Sequence, residues 1–423
     1  MRSLKLRLEV GKKTAVYIQI MFVLVMLWLR DVLHFPSYIS YLTDILLLLA
    51  IFSVFYKKKT FDIYTGAIPQ YIIVALIFIF MVIGAIINAV EPLLVLWGMR
   101  NNLRFFLFFF MCIVLLDKSD IDCFIKLFKV FFWINFVMAL IQYFGFGLSG
   151  DYLGGLFGIT RGCNGYFNVF LCIILSIVLS EFFSGKTKFS IMLAYMILSL
   201  VMASFAELKV FYIELIIMVI VVIFLTKPSI KTIVISLTLI AVIVFGAIAL
   251  FLYDPYSFNI FFDSDALEFY LSGNGYTNSG DFNRFTAISQ IQTQFFGDNM
   301  FLTIFGFGLG NCEYSQFEFL RSDFSEMYGH LNYRWFTHAW VYLEQGIVGI
   351  ILIVAFFVSL LVYAIKFARL RNSHYMVISI AFIPTCLIGL IYNVGIQVES
   401  CYLIALVCAI PYIINKSNDI RSL

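Results

Sequence analysis

The chain has 423 residues, of which 62% are hydrophobic and 13% charged, and its mean hydropathy is +0.99. A soluble domain carries about 25% charged residues, so this composition excludes a water-soluble protein of the same size. The net charge is only +3. With no basic patch interleaved with aromatic residues, nucleic acid is excluded as a partner.

The apolar residues come in blocks of about 20, the length that crosses a hydrocarbon core of ~30 Å. Such blocks are predicted to be helices, because a helix pairs its backbone groups within one segment. They are too long and too uniformly apolar for the strands of a barrel. Twelve spans are predicted, roughly at residues 14–33, 38–56, 68–89, 103–117, 122–145, 165–184, 188–206, 210–226, 230–252, 345–367, 375–394 and 398–415.

Basic residues fall in alternate connections, as the positive-inside rule requires of cytoplasmic segments. The basic segments are the N-terminus, Lys57–Lys59, Lys118, Lys186 with Lys188, Lys227 with Lys231, Lys366–Arg371, and the tail with Lys416 and Arg421. This alternation predicts that both termini are cytoplasmic. Residues 1–252 would then hold spans one to nine, 253–337 a large external loop with short helices, and 338–423 spans ten to twelve with a short tail.

Several arginines occupy external segments against that rule, and their retention there asks for a reason. They are Arg100, Arg104, Arg161, Arg284, Arg321 and Arg334. Arg100 and Arg104 are four residues apart and would share one helix face. Two interpretations stay open: each arginine pairs with a local carboxylate or lipid phosphate, or the arginines bind an anionic substrate.

The external loop is the segment with room for chemistry. Asp281 is predicted to cap a helix that runs through Arg284 to about Phe296. A glycine run follows at residues 306–310, and because no βαβ unit surrounds it, we expect close backbone approach and not nucleotide binding. Thr337 is a predicted N-cap, which places His338 and Tyr342 one turn apart.

The cysteines and acidic residues give weaker indications. Cys163 and Cys312 both fall in predicted external segments, so a disulfide between them stays open. Only Asp263 and Asp265 have the spacing of a paired-carboxylate metal motif, and no histidine accompanies them. We therefore predict neither a metal nor a cofactor.

Four features together resemble the O-antigen ligase/polymerase superfamily of bacterial surface-glycan assembly. Two are the span count with a late external loop, and an arginine before a glycine–asparagine turn, here Arg161 to Gly165. The others are the Arg284 helix with its following Gly-x-Gly, and a C-terminal motif. The motif residues are His338, Tyr342, Leu343, Glu344, Gly346 and Gly349. The chain departs from the family at Ala339, where asparagine is usual, and at Ser204–Lys209, where a Ser-Arg is often found.

The resemblance implies an all-α, polytopic membrane bundle similar to type C glycosyltransferases. It also implies a metal-independent glycosyltransferase of the bacterial inner membrane with a periplasmic active site and an undecaprenyl-pyrophosphate-linked oligosaccharide as donor. A repeat-unit polymerase is favoured, because Phe- and Ile-rich, divergent chains are typical of polymerases. The alternatives are a ligase that transfers glycan to the lipid A core and, from another class, a lipid-linked oligosaccharide flippase.

The same resemblance suggests roles for individual residues. His338 would accept the proton of the attacking sugar hydroxyl, as an imidazole titrating near neutral pH can. Its other interpretation is a helix-capping residue. Arg161 and Arg284 would neutralise the departing pyrophosphate. The predicted substrate-binding residues are Arg100, Arg104, Tyr342 and Glu344. Membrane lipid and a chain-length regulator are the further partners expected.

Overall fold

The computed structural model describes residues 13–57, 64–225, 264–272, 280–371 and 374–421, together with scattered positions between 230 and 252. Across these residues the fold is all-α and contains no strand. Most of the predicted ninth span, at 230–252, and the loop residues 253–263 and 273–279 lie outside the described residues. The twelve-span count therefore stays a prediction.

In the part of the chain that the structure describes, eleven long helices form the bundle and four short ones belong to the loop region. In chain order they are α1 Thr14–Asp31, α2 Leu42–Lys57, α3 Ile68–Ile87, α4 Pro92–Leu115, α5 Lys118–Leu140, α6 Cys163–Phe183, α7 Phe189–Phe205, α8 Lys209–Leu225, α9 Ser264–Ser272, α10 Ala287–Ile291, α11 Met300–Phe305, α12 Asp323–Tyr328, α13 Thr337–Arg371, α14 His374–Tyr392 and α15 Cys401–Arg421. Five-residue π-helical turns extend α5 to Gly145 and α10 to Phe296.

The surface of the bundle is apolar, as expected for a multi-pass membrane protein. Within the described chain, eight helices are long and apolar enough to cross a bilayer. Large side chains such as Phe52, Ile72 and Ile86 point outward and are 65%, 55% and 72% exposed. Exposed apolar area on this scale is unfavourable in water and favourable against lipid. Which bundle end faces the cytoplasm stays a prediction.

Helix α6 is the centre of the bundle. In its most apolar stretch 83% of residues are buried, against 28% in α2 and α3 at the periphery. A second part of the core joins α4 to α13 through phenylalanines. Phe356 meets Phe106 and Phe109 edge to face, with ring centroids 4.9 and 5.4 Å apart, a favourable geometry for aromatic quadrupoles.

Polar contacts of charged side chains show which helix ends lie at the same end of the bundle. Lys13, before α1, binds Asp117 and Asp120 at the start of α5, at 2.5 and 2.6 Å. Lys416, late in α15, donates to the last carbonyls of α4. At the other end, Asp31 accepts the N–H of Ile159 before α6. These contacts place the starts of α1 and α5 with the ends of α4 and α15 at one end of the bundle, and the end of α1 with the start of α6 at the other. The alternation of all twelve predicted spans stays a prediction.

Two predicted span boundaries are wrong, for one physical reason. The fourth span was placed at 103–117, but α4 starts at Pro92. The tenth was placed at 345–367, but α13 starts at Thr337. In α13 the first turns carry buried, hydrogen-bonded polar side chains such as His338 and Glu344. In α4 the buried, hydrogen-bonded side chains of Asn101, Asn102 and Arg104 follow about two apolar turns and interrupt the apolar run. Hydropathy therefore underestimates the helix length.

The glycine run packs against the bundle as expected from residues without a side chain. Gly306 has a φ of +67°, and a Cβ there would lie 2.6 Å from the carbonyl oxygen of Leu343. The N–H of Phe307 donates to that same carbonyl at 2.7 Å. Opposite this turn α13 kinks at Gly346, whose φ is +60° and whose absent Cβ faces the backbone of Ile304. Two backbones therefore meet here with no side chain between them.

The loop has a small hydrophobic core of its own. Phe282, Ile291, Phe296 and Tyr333 pack there with Trp340 and other residues of the first turns of α13. The predicted cap at Asp281 is wrong: the helix begins at Ala287, and Asp281 is buried. All eight cysteines are free, so Cys163 and Cys312 do not pair.

Replacing Gly346 by alanine should destabilise the protein. Alanine would hold a left-handed φ and would press its Cβ on the Ile304 backbone. We expect a loss of about 1–3 kcal/mol, measured as a lower melting temperature in detergent. Gly329→Ala is the control, because nothing lies within 4 Å of that position. Equal melting temperatures for the two variants would contradict the packing described here.

Candidate functional site

A cavity of about 540 Å³ opens where the starts of α6 and α8, the α14–α15 connection and the loop meet. Three cationic side chains line it: Arg161, Lys209 and Arg284. Asp151 and Glu207 are the carboxylates at its wall. The structure therefore brings together two arginines, Arg161 and Arg284, that are 123 positions apart in the sequence.

Both arginines are held by aromatic rings. The guanidinium carbon of Arg284 lies 3.8 Å from the ring centre of Tyr392 and 5.4 Å from that of Phe336. That of Arg161 lies 4.9 Å from the ring centre of Trp335. Stacking engages the flat face of a guanidinium, whereas its N–H donors lie in the plane. The stacking fixes the plane of each guanidinium, and sequence reasoning did not find the three aromatic residues.

Arg161 has only a loose ion pair. Its Nε is 3.8 Å from Oδ2 of Asp151, and both side chains are more than half exposed. Exposed pairs of this kind contribute about 0–1 kcal/mol. Displacement of Asp151 from the Arg161 guanidinium by a phosphate group would therefore cost little free energy.

His338 lies beside the cavity and is buried against backbone. Its Nε2 is 2.8 Å from the carbonyl oxygen of Arg284, and its Nδ1 is 3.1 Å from that of Leu390. A neutral imidazole has one N–H, so it donates to one carbonyl at a time, whereas an imidazolium donates to both. In this geometry His338 ties the Arg284 segment to α14. Its role as proton acceptor stays a prediction.

A second, apolar groove begins at His338 and runs along α13 and α14. It has a volume of about 280 Å³ and extends as far as Val354, about four helical turns from His338. Its walls are aliphatic, with Val341, Ile350 and Leu387 among them. Arg284 lines both this groove and the polar cavity. The Arg284 guanidinium therefore lies at the boundary between the apolar groove and the polar cavity.

Arg100 and Arg104 do not line the cavity and bind separate carboxylates. Arg100 contacts Asp44, with Nη2 2.6 Å from Oδ2. Arg104 contacts Glu399 at 3.3 Å, and Glu399 also accepts from Tyr166 at 2.7 Å. The carboxylate of Glu399 is therefore held by a cation and a hydroxyl donor together. Because Tyr166 lines the cavity, Arg104 supports the wall from behind.

Tyr342 and Glu344 are also away from the cavity. The Tyr342 hydroxyl donates to Oε1 of Gln292 at 2.5 Å. Oε1 of Glu344 accepts the N–H groups of Gly310 and Cys312, each at 3.1 Å. Glu344 therefore holds the glycine run on α13 and does not contact His338. Substrate binding by these two residues stays a prediction.

A buried carboxyl also lies below the cavity in α8. Glu214 accepts from Nδ2 of Asn168 at 2.8 Å and from Sγ of Cys172 at 3.1 Å. Glu207 lies seven positions earlier in the sequence, but the two carboxyls have different environments. Glu207 is exposed at the cavity wall and Glu214 is 2% exposed.

Among the described residues, no group of three or more His, Cys, Asp and Glu is placed to hold a metal ion. Asp263 lies outside the described residues, and so does the side chain of Asp265. Comparison with known proteins adds no identification: no protein-family model matches the chain, and no curated protein is significantly similar to it. The family resemblance therefore stays a prediction.

The stability of the protein should depend on pH through one buried carboxyl of the loop. Glu313 is fully buried, accepts from Asn101 at 2.7 Å, and burial raises its pKa from 4.5 to about 8. A carboxyl with a raised folded-state pKa contributes its full stability below the unfolded pKa, and that contribution is lost as the pH rises toward the folded value. Glu313→Gln keeps the acceptor for Asn101 but does not titrate. Its melting temperature should therefore exceed that of wild type by a difference that grows from pH 5 to pH 9.

The matched control is Glu318→Gln, an exposed carboxyl in the same loop. Its melting temperature should follow that of wild type across the whole pH range. A constant difference between Glu313→Gln and wild type would show that Glu313 does not titrate in this interval.

Proposed function

We propose that this chain is a glycan polymerase of the bacterial inner membrane. It would transfer a growing glycan from undecaprenyl pyrophosphate to a sugar hydroxyl of another lipid-linked repeat unit. The cavity would face the periplasm and both termini the cytoplasm. The carrying observation is the position of Arg284, which lines the apolar groove and the polar cavity together.

That position fits a substrate of unusual shape. A polyprenyl-linked glycan has an apolar tail, a doubly charged diphosphate and a polar oligosaccharide in sequence. The aliphatic groove suits the tail and the cavity suits the sugars, and the diphosphate between them would meet Arg284. A flippase would also bind such a molecule, but fixed cations at the boundary have a direct use in chemistry.

In the reaction these cations would stabilise the leaving group. When the anomeric C–O bond breaks, negative charge accumulates on the diphosphate, and arginine binds phosphate oxygens in a bidentate way. Arg284 would meet this charge first, with Arg161 and Lys209 on the cavity side. A preorganised donor of this kind contributes ~3–4 kcal/mol to a transition state.

Removal of Arg284 tests this role. Arg284→Ala should reduce glycan elongation by about 10²–10³-fold, assayed in proteoliposomes with lipid-linked repeat units extracted from a strain lacking the gene. Arg321→Ala is the matched control, because Arg321 is a loop arginine that binds the carbonyl of Ser315 and lines neither cavity nor groove. Equal activity of both variants would refute the proposed role.

The surface glycan of the deletion strain separates the three candidate functions. Loss of a polymerase should leave a single repeat unit on the lipid A core. Loss of a ligase should leave no repeat there, with long chains still on the lipid carrier. Loss of a flippase should confine single lipid-linked repeats to the inner leaflet. Either of the last two patterns would contradict the polymerase assignment.

A further inference from the structure

We propose that Glu207 is the proton acceptor for the attacking sugar hydroxyl. This inference rests on the proposed function and identifies a group that the family resemblance does not supply. It follows from the carboxylates around the cavity, taken one by one.

Among the described residues, four carboxyls lie in or beside the cavity, and three of them have protein donors. Glu399 is bound by Arg104 and Tyr166, and Glu214 is buried with Asn168 and Cys172; neither lines the cavity. Asp151 does line it, accepts from Nδ2 of Asn164 at 3.0 Å and faces Arg161 at 3.8 Å. A proton accepted by Asp151 would therefore weaken its contacts with these two partners.

Glu207 differs from all three. Its side chain is exposed, it lines the cavity, and its carboxylate makes no hydrogen bond or ion pair to another described residue. The titratable and charged groups around it are Lys209 beside it, Asp151 and Arg161 from the segment before α6, Arg284 from the loop, and Tyr166 and Tyr392 at the wall. A carboxylate in this surrounding is available to a hydroxyl group.

The backbone holds Glu207 in an uncommon conformation. Its φ is +50°, in the left-handed region that residues other than glycine rarely adopt. The turn is fixed by bonds from Leu208 N–H to Ala203 and from Lys209 N–H to Glu207, both 2.9 Å. Asn164 also donates to the carbonyl of Ala206 at 3.2 Å. Backbone strain of this kind recurs where a side chain must be aimed.

Gly150 provides the space for the carboxylate. A Cβ at this position would lie 3.2–3.3 Å from the three carboxyl atoms of Glu207. Because glycine has none, the Glu207 side chain lies against bare backbone at the cavity wall. His338, by comparison, does not line this cavity, and both its nitrogens face carbonyl oxygens.

The step balances without a further reactant. The acceptor hydroxyl oxygen forms a bond to the anomeric carbon, and the bond from that carbon to the diphosphate oxygen breaks. The bonding electron pair leaves with the diphosphate, whose charge Arg284 and Arg161 oppose. The hydroxyl proton passes to the Glu207 carboxylate, which returns it to water before the next cycle.

The test compares Glu207→Gln with wild type in proteoliposomes, again using lipid-linked repeats extracted from the deletion strain. Glutamine keeps the size of the side chain and removes the base. We expect kcat to fall at least about 100-fold, with the donor KM within about threefold of wild type, because a base acts only in the transition state. Glu207→Asp should recover part of kcat, and Glu91→Gln, an exposed carboxyl at the start of α4, should match wild type.

The pH profile adds a readout that a structural role would not change. Wild-type kcat should decline toward acidic pH as the base becomes protonated, and the residual activity of Glu207→Gln should lack that decline. If Glu207→Gln elongates at the wild-type rate while Arg284→Ala does not, this inference is overturned and the proposed function stands. The same holds if only His338 variants lose the acidic decline.

Discussion

The groove and the cavity both depend on how the loop around Arg284 packs on α14. The His338 imidazole lies between two backbone carbonyls, that of Arg284 and that of Leu390 in α14, and donates to one of them at a time when it is neutral. The guanidinium of Arg284 stacks on Tyr392, two residues after Leu390. Because Arg284 lines both the groove and the cavity, this packing determines where the two meet.

The cavity residues that the sequence predicted are those whose signal does not depend on knowing the fold. Arg161 and Arg284 lie in segments that the pattern of basic residues predicts to be external, where the positive-inside rule disfavours arginine. Arg100 and Arg104 gave the same signal, but their carboxylate partners Asp44 and Glu399 are 56 and 295 positions away. No local pattern could show that these two arginines are already neutralised.

The residues missed share a different property. Trp335 and Tyr392 lie in a chain that is 18% aromatic, so an aromatic residue carries almost no information about position. Glu207 could not be singled out, because the sequence does not show its positive φ or its spatial neighbour Gly150. The start of α4 was missed for a related reason: the arginines and asparagines at 100–104, about two turns into the helix, are compatible with the interior only through distant partners.

The kink at Gly346 divides α13 between two bodies. The nine residues before it pack in the loop's own hydrophobic core with Phe282, Ile291 and Tyr333, whereas the residues after it belong to the bundle. Part of the loop's hydrophobic core therefore consists of residues of α13, a helix long and apolar enough to cross a membrane. An excised loop fragment ending at Phe336 would lack Trp340, Tyr342 and Leu343, and could not reproduce the fold it has when joined to the membrane domain.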